Sequence, residues 1–140
     1  MAIKGSRGGQ FNVSPKRFAG YEGLSNWVGM DDPEEANDAV ANAKYYASSQ
    51  DVDIPIKNLM ALHPIERDRA RNIMNSIKSS GFDPEKRIEV LGDGLGEGGI
   101  VLDGHHRVIG ARAAGMKSIP ATVYDPDEVS RYIDVLKSYE

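Results

Sequence analysis

The chain has no cysteine among its 140 residues, so disulfides, thiolate metal centres and any reaction needing a thiolate nucleophile are excluded. That absence fits a reducing compartment, and a cytoplasmic location is the expectation it carries. Long apolar runs are missing too. No stretch approaches the roughly 20 apolar residues that cross a bilayer, and the opening MAIKGSRGGQ lacks the apolar core of a secretory signal; no membrane partner is expected. Aromatic residues make up only 7% of the chain, and the formal net charge of −4 speaks against a broadly basic nucleic-acid-binding surface. What remains is 40% apolar, ordinary for a soluble globular chain with a single core.

Charge is not spread evenly. Residues 1–22 hold Lys4, Arg7, Lys16 and Arg17 against Glu22 alone, a balance of +3 that leaves about −7 for the rest. Met1 to Gln10, with glycine at positions 5, 8 and 9, has little to bury and reads as an extended arm able to touch nucleic acid or a protein partner. Phe11, Phe18, Tyr21, Leu24 and Trp27, interrupted by Pro15 and three glycines, read as irregular chain packed on a surface. A helix follows from Asp32-Pro33 to about Ser49, with Asp32 as cap and Ala36, Val40, Ala43 and Ala47 as a narrow packing stripe. Residues 1–50 are therefore expected to form an arm and helix laid on a core of residues 51–140.

Within that core, Val52 to Ile56 reads as a strand and Pro64 to Ser80 as a helix. Ala70, Ile73, Met74 and Ile77 mark the helix's buried face, and Gly81 stops it. Arg87 to Leu91 and Gly99 to Leu102 read as strands, followed by a helix from His105 to about Ala114. Ser118 to Tyr124 then forms a strand, and a helix capped by Asp125 runs from Pro126 to about Tyr139. The glycine-rich run 92–99 invites a phosphate-loop reading, but it joins two strands and lacks a Gly-Lys-Ser/Thr ending, so a hairpin loop is expected. The fold class is α/β (α+β): a small mixed sheet with packed helices.

The most informative feature is Asp103-Gly104-His105-His106-Arg107, where an apolar strand hands over to a helix. A ligand phosphate there meets open backbone N–H groups, the positive end of the helix dipole, two imidazoles and a guanidinium. Asp103 adds a carboxylate. The same residues can also be read as cap, turn and solvated first helical turn. Against that, successive helical positions fan about 100° apart around the tip instead of lining one core stripe. All three histidines of the chain, at positions 63, 105 and 106, fall in this junction or just before the 64–80 helix, as if two helix starts faced one pocket. Zinc is disfavoured because adjacent histidines rarely share an ion. Mg²⁺ with a bound nucleotide, and Asp103 as an oxygen ligand, suits the residues better.

From Val52 to Asp125 the chain resembles the ParB/sulfiredoxin-like superfamily, in the order of its parts, in the glycine-to-arginine junction Gly104–Arg107 and in the closing strand KSIPATV. Sulfiredoxins carry a cysteine where His105 stands, so their repair chemistry is excluded here. Chromosome-partitioning members have a Gly-Glu-Arg-Arg junction that binds CTP, followed by a helix-turn-helix domain, whereas only about one helix follows Val123. The DGHHR spelling is most similar to the ParB-fold free serine kinases. Those often read Leu-x-Pro-His-Glu after the first strand, where this chain reads Leu62-His63-Pro64-Ile65-Glu66, with the histidine displaced.

That resemblance implies ATP or another nucleotide as ligand and a small hydroxyl substrate as acceptor. Glu66, Asp103 and His105 would be the candidate catalytic residues, and Gly104, His105, His106 and Arg107 the phosphate ligands. Two uses of Glu66 stand side by side. It could accept an acceptor's proton, or, as the third residue of a helix begun at Pro64, it could only stabilise the helix start. The fold hosts several activities. A nucleic-acid-binding or assembly protein using the same phosphate site is the alternative to an ATPase or kinase-like phosphotransferase. A ParB-type nuclease is weaker, because acidic residues for a two-metal site are not clustered.

Overall fold

A computed structural model describes residues 19–94 and 97–139. The basic arm and the Phe11–Phe18 stretch lie outside those residues, as do Leu95 and Gly96 of the glycine-rich loop. The strands are β1 (Ser49–Pro55), β2 (Leu59–Met60), β3 (Ile88–Gly92), β4 (Gly99–Asp103) and β5 (Ser118–Tyr124). The helices are α1 (Gly20–Val28), α2 (Pro33–Ala43), α3 (Arg67–Ser80), α4 (His105–Ala113) and α5 (Pro126–Lys137). The strands form one mixed five-stranded sheet in the order β1-β5-β3-β4-β2. β1 runs antiparallel to β5 and β3 antiparallel to β4, while β3 lies parallel to β5 and β2 parallel to β4. The expected mixed sheet with packed helices is what the chain forms.

Both faces of the sheet are covered, and the strand alternation divides the side chains between them. Ile88, Val90 and Val101 join Ile54, Ile119 and Val108 in the cluster on the α3–α4 side. Leu91 and Ile100, the alternate positions, join Leu24, Val40, Val129 and Ile133 in a second cluster beneath α1, α2 and α5. The helices therefore sort by face. Asp32 and Asp125 cap α2 and α5 as expected, each accepting two first-turn N–H groups at 2.9–3.4 Å.

The structure corrects several boundaries. Where irregular chain was expected, residues 20–28 are helical. The glycines taken as breakers stand mostly at the ends, Gly29 adopting the left-handed C-cap conformation (φ 76°). Trp27 packs inward and donates its indole N–H to the Gly92 carbonyl at 3.2 Å. Helix α2 ends at Ala43 and passes into a short 3₁₀ turn at Lys44–Tyr46, so β1 starts at Ser49, earlier than Val52. Ser49 to Pro55 can pair along the whole of β5, and that ladder outweighs the helical preference of the preceding residues. The two-residue β2 gave no signal of its own. Helix α3 starts at Arg67 and not at Pro64; Glu66 before it is extended, and its backbone N–H and that of Leu62 are held by contacts described below.

Helices α3 and α4 cross closely at Gly110. A Cβ there would sit 2.7 Å from Ile73 Cγ2 and 3.0 Å from the Ala70 carbonyl oxygen, so only glycine lets the helices approach this far. That crossing brings the entry to α3 beside the tip of α4. Among the described residues, no helix is long and apolar enough to cross a membrane.

Candidate functional site

Gly104 is the N-cap of α4, with φ 100° and ψ 25°, and no side chain caps the helix. The left-handed turn redirects the chain from β4 into α4 in a single residue. A Cβ at this position would meet Ile88 Cγ2 at 2.6 Å. The first bond of the helix runs from the Val108 N–H to the Gly104 carbonyl at 3.0 Å. The N–H groups of His105, His106 and Arg107 precede it and form the open, positive end of the helix.

The two histidines tie this tip to the chain entering α3. His105 is 4% exposed, and its Nε2 accepts the Leu62 backbone N–H at 2.9 Å. The neutral ring therefore carries its proton on Nδ1. Burial, reinforced by His63 and His106 and only partly offset by the Asp103 carboxylate, pushes its pKa down to about 4. His106 Nε2 accepts the Glu66 N–H at 2.9 Å in the same way. Burial and then the Arg69 guanidinium lower its pKa, with the Glu66 carboxylate acting in the opposite direction. His63 packs its ring on His105 with centroids 3.9 Å apart, and Tyr21 of α1 lies on the outer side of His63.

Glu66 lies at the N-cap of α3 and its side chain makes no capping hydrogen bond. Glu66 is thus the N-cap and not the third helical residue; its carboxylate makes no capping bond there but still stands at the positive end of the α3 dipole. Its carboxylate lies close enough to His106 to influence that ring while its backbone holds the same ring.

Arg107 is engaged by protein. One guanidinium nitrogen donates to the Lys86 and Arg87 carbonyls at 2.7 and 2.9 Å, and the other to Asp103 Oδ2 at 3.2 Å. This side chain fastens the turn before β3 to the α4 tip. It thereby fixes the backbone from which Lys86 projects.

These elements enclose a cavity of about 520 Å³, lined by the whole Asp103–Arg107 junction, His63, Arg69, Lys86 and the inner face of α3. The junction residues and the histidines are thus brought together, whereas Glu66 does not line the cavity. Ile73 and Ile77, expected as buried stripe residues, are half-buried because they form its apolar wall. Lys86 and Asp83 belong to the site without having been singled out in the sequence, whereas Arg69 is one of the charges off the α3 stripe that a helix start bordering a pocket can bring to a ligand. Arg69 lies one helical turn beyond Glu66, a spacing that could have flagged it; Lys86 carries no motif. Among the described residues no group of three histidine, aspartate or glutamate side chains could hold a metal ion by itself.

No family model and no curated protein matches the chain. Among solved structures it is similar to the C-terminally truncated chromosome-partitioning protein ParB from Caulobacter crescentus, complexed with CTP-γ-S, at 20% identity and a TM-score of 0.44. The match covers 66% of this chain and 54% of that one, so the chain spans about half the length of the protein it matches.

Proposed function

We propose that the chain binds a nucleoside di- or triphosphate with its phosphates at the tip of α4, and transfers the terminal phosphoryl group to a small hydroxyl acceptor or to water. One observation carries the reading: an uncapped helix N-terminus opens into a cavity that also receives Arg69 and Lys86. Open N–H groups and fixed cations are what a phosphate requires. Gly104 gives close access to the backbone, and His105 and His106 serve mainly by holding the tip in place, each with Nδ1 remaining for a ligand. Arg107 positions Lys86 and Asp103.

If Mg²⁺ accompanies the nucleotide, Asp103, whose Oδ2 is paired with Arg107, would be the carboxylate to help hold it, in keeping with that ion's habit of binding through one or two carboxylates plus substrate phosphates. It would neutralise charge developing on the phosphates. In the transfer, the acceptor oxygen bonds to the terminal phosphorus, the bond to the bridging oxygen breaks, and the nucleotide leaves one phosphate shorter. The acceptor's proton passes to a carboxylate: Asp103 lines the cavity, while Glu66, beside His106 but outside the lining, would take it only from an acceptor seated at the α3 end of the site.

Titration calorimetry with ATP, ADP, CTP and GTP, with and without Mg²⁺, tests the binding. Arg69→Ala should weaken it by about 1.5–3 kcal/mol, the worth of a hydrogen bond to a charged group, since Arg69 lines the cavity and lies near enough to His106 to act on that ring. Heat-silent titrations with all four nucleotides would overturn the reading. Phosphate release, and transfer to L-serine, then distinguish the two acceptors.

A further inference from the structure

We infer that a second cavity, on the far side of the His63–His105 ring pair, binds an amphipathic monoanion: a carboxylate carried on an apolar body of about six to ten carbons. This cavity measures about 600 Å³, within the range of small-molecule sites. It is enclosed by the turn between β1 and β2, the flank of α4 and the chain leading into β5. Ten of its sixteen lining residues are apolar, Met60, Ile65, Val108 and Ile109 among them, and none is acidic. Three are cations: Lys57, Arg112 and Lys117. Lys57 and Lys117 are exposed while Arg112 is half-buried, so positive charge stands at the rim and an apolar wall behind it.

That division of the lining decides the ligand. A polyphosphate suits the other cavity, where the α4 tip opens; here there is no helix N-terminus, and most of the surface rewards removal of hydrocarbon from water. A small zwitterion such as an amino acid would leave the apolar wall without a partner and set its ammonium beside the Lys57 and Lys117 ammonium groups at the rim. An apolar cation is opposed by the same charges. An apolar carboxylate satisfies both halves. His63 and His105 line both cavities, so a ligand in either touches the same ring pair.

Calorimetric titration of the full chain with hexanoate, octanoate and decanoate, and with octanol and octylammonium at equal ionic strength, tests the inference. Affinity should rise roughly three- to fourfold per added methylene, and octanoate should bind at least about tenfold more tightly than octylammonium. The ring signals of His63 and His105 in ¹H–¹³C spectra should shift on addition of octanoate. A Lys57→Glu/Lys117→Glu variant, acceptable if it melts like the parent, should reverse the preference toward octylammonium. Equal binding of the two octyl compounds, an unchanged preference in the double variant, or unmoved histidine signals would overturn the inference. ATP titrated into the same samples keeps the two ideas apart: octanoate can fail where ATP binds, or bind where ATP fails.

Discussion

Protonating His105 should destabilise the fold, because the buried ring is held as a hydrogen-bond acceptor. The ring is buried with Nε2 accepting the Leu62 N–H, so a proton added there sets one donor against another. Its folded pKa of about 4 lies below the ordinary 6.5, which means that between these values the unfolded chain binds more protons than the folded one. Stability is therefore complete above pH 6.5 and is lost as pH falls toward 4, by roughly 3 kcal/mol over the whole window. That is a sizeable share of a typical total of about 5–15 kcal/mol. His63, His106 and Asp103 also act on this ring, so the comparison must keep them in place. His105→Gln does so, since its amide oxygen can take the position of Nε2 without a proton to gain. Urea melts at pH 7.5, 6.5, 5.5 and 4.5 should show the parent losing stability faster than the glutamine variant. His105→Ala should be less stable than both at pH 7.5, by about 2–4 kcal/mol, for the unsatisfied N–H and the lost ring. Parallel pH curves for parent and glutamine variant would refute the argument.

Gly104→Ala should cost roughly 2–4 kcal/mol, from a left-handed backbone and a Cβ that would lie 2.6 Å from Ile88 Cγ2; a loss below about 1 kcal/mol in urea melts would contradict the described turn. Arg107→Ala should loosen the turn before β3 as well as weaken nucleotide binding, because its guanidinium holds the Lys86 and Arg87 carbonyls. Faster hydrogen exchange over residues 84–88 checks this, and unchanged exchange with weakened binding would instead mark Arg107 as a direct ligand. Glu66→Gln should leave the melting temperature within about 2 °C, as its carboxylate makes no capping bond, while lowering phosphoryl transfer roughly 10²-fold or more; an unchanged rate would remove Glu66 from the chemistry.

What could be read from the sequence follows from where the physical signal is local. Helices α2 and α5 announce themselves through Asp-Pro starts, which are short-range capping effects, and β3, β4 and β5 through compact apolar or β-branched runs. Helix α1 was lost because Gly20, Gly23 and Gly29 look like breakers when counted, while their effect depends on position within the helix. The short β2 owes its existence to β4 and could not be seen without it. At the site, the DGHHR junction was legible because glycine, charge and a helix start occupy consecutive residues. Arg69 and Lys86 reach the same cavity through the α3–α4 crossing and the Arg107 strut. Only the one-turn spacing from Glu66 to Arg69 leaves a trace in the sequence; the placement of Lys86 leaves none.

The histidine pair also shows why a residue type can be identified before its role. Two adjacent imidazoles at a helix tip suggest ligands for phosphate, and both are at that tip. Yet each uses Nε2 to receive a backbone N–H from the chain entering α3, one from Leu62 and one from Glu66. Those N–H groups belong to the stretch before a helix, where intrahelical partners are lacking. Satisfying them with side chains from α4 fixes the two helix starts relative to one another without placing a charge between them. A cationic ring could not do this, because it has no lone pair to offer. Neutrality at His105 is thus a structural requirement, and the positive charge for an anion has to come from elsewhere. In the proposed nucleotide site Arg69, Lys86 and the open N–H groups of α4 would supply it around a cavity whose two helix starts the histidines tie together, which would limit the reorganisation that binding otherwise requires.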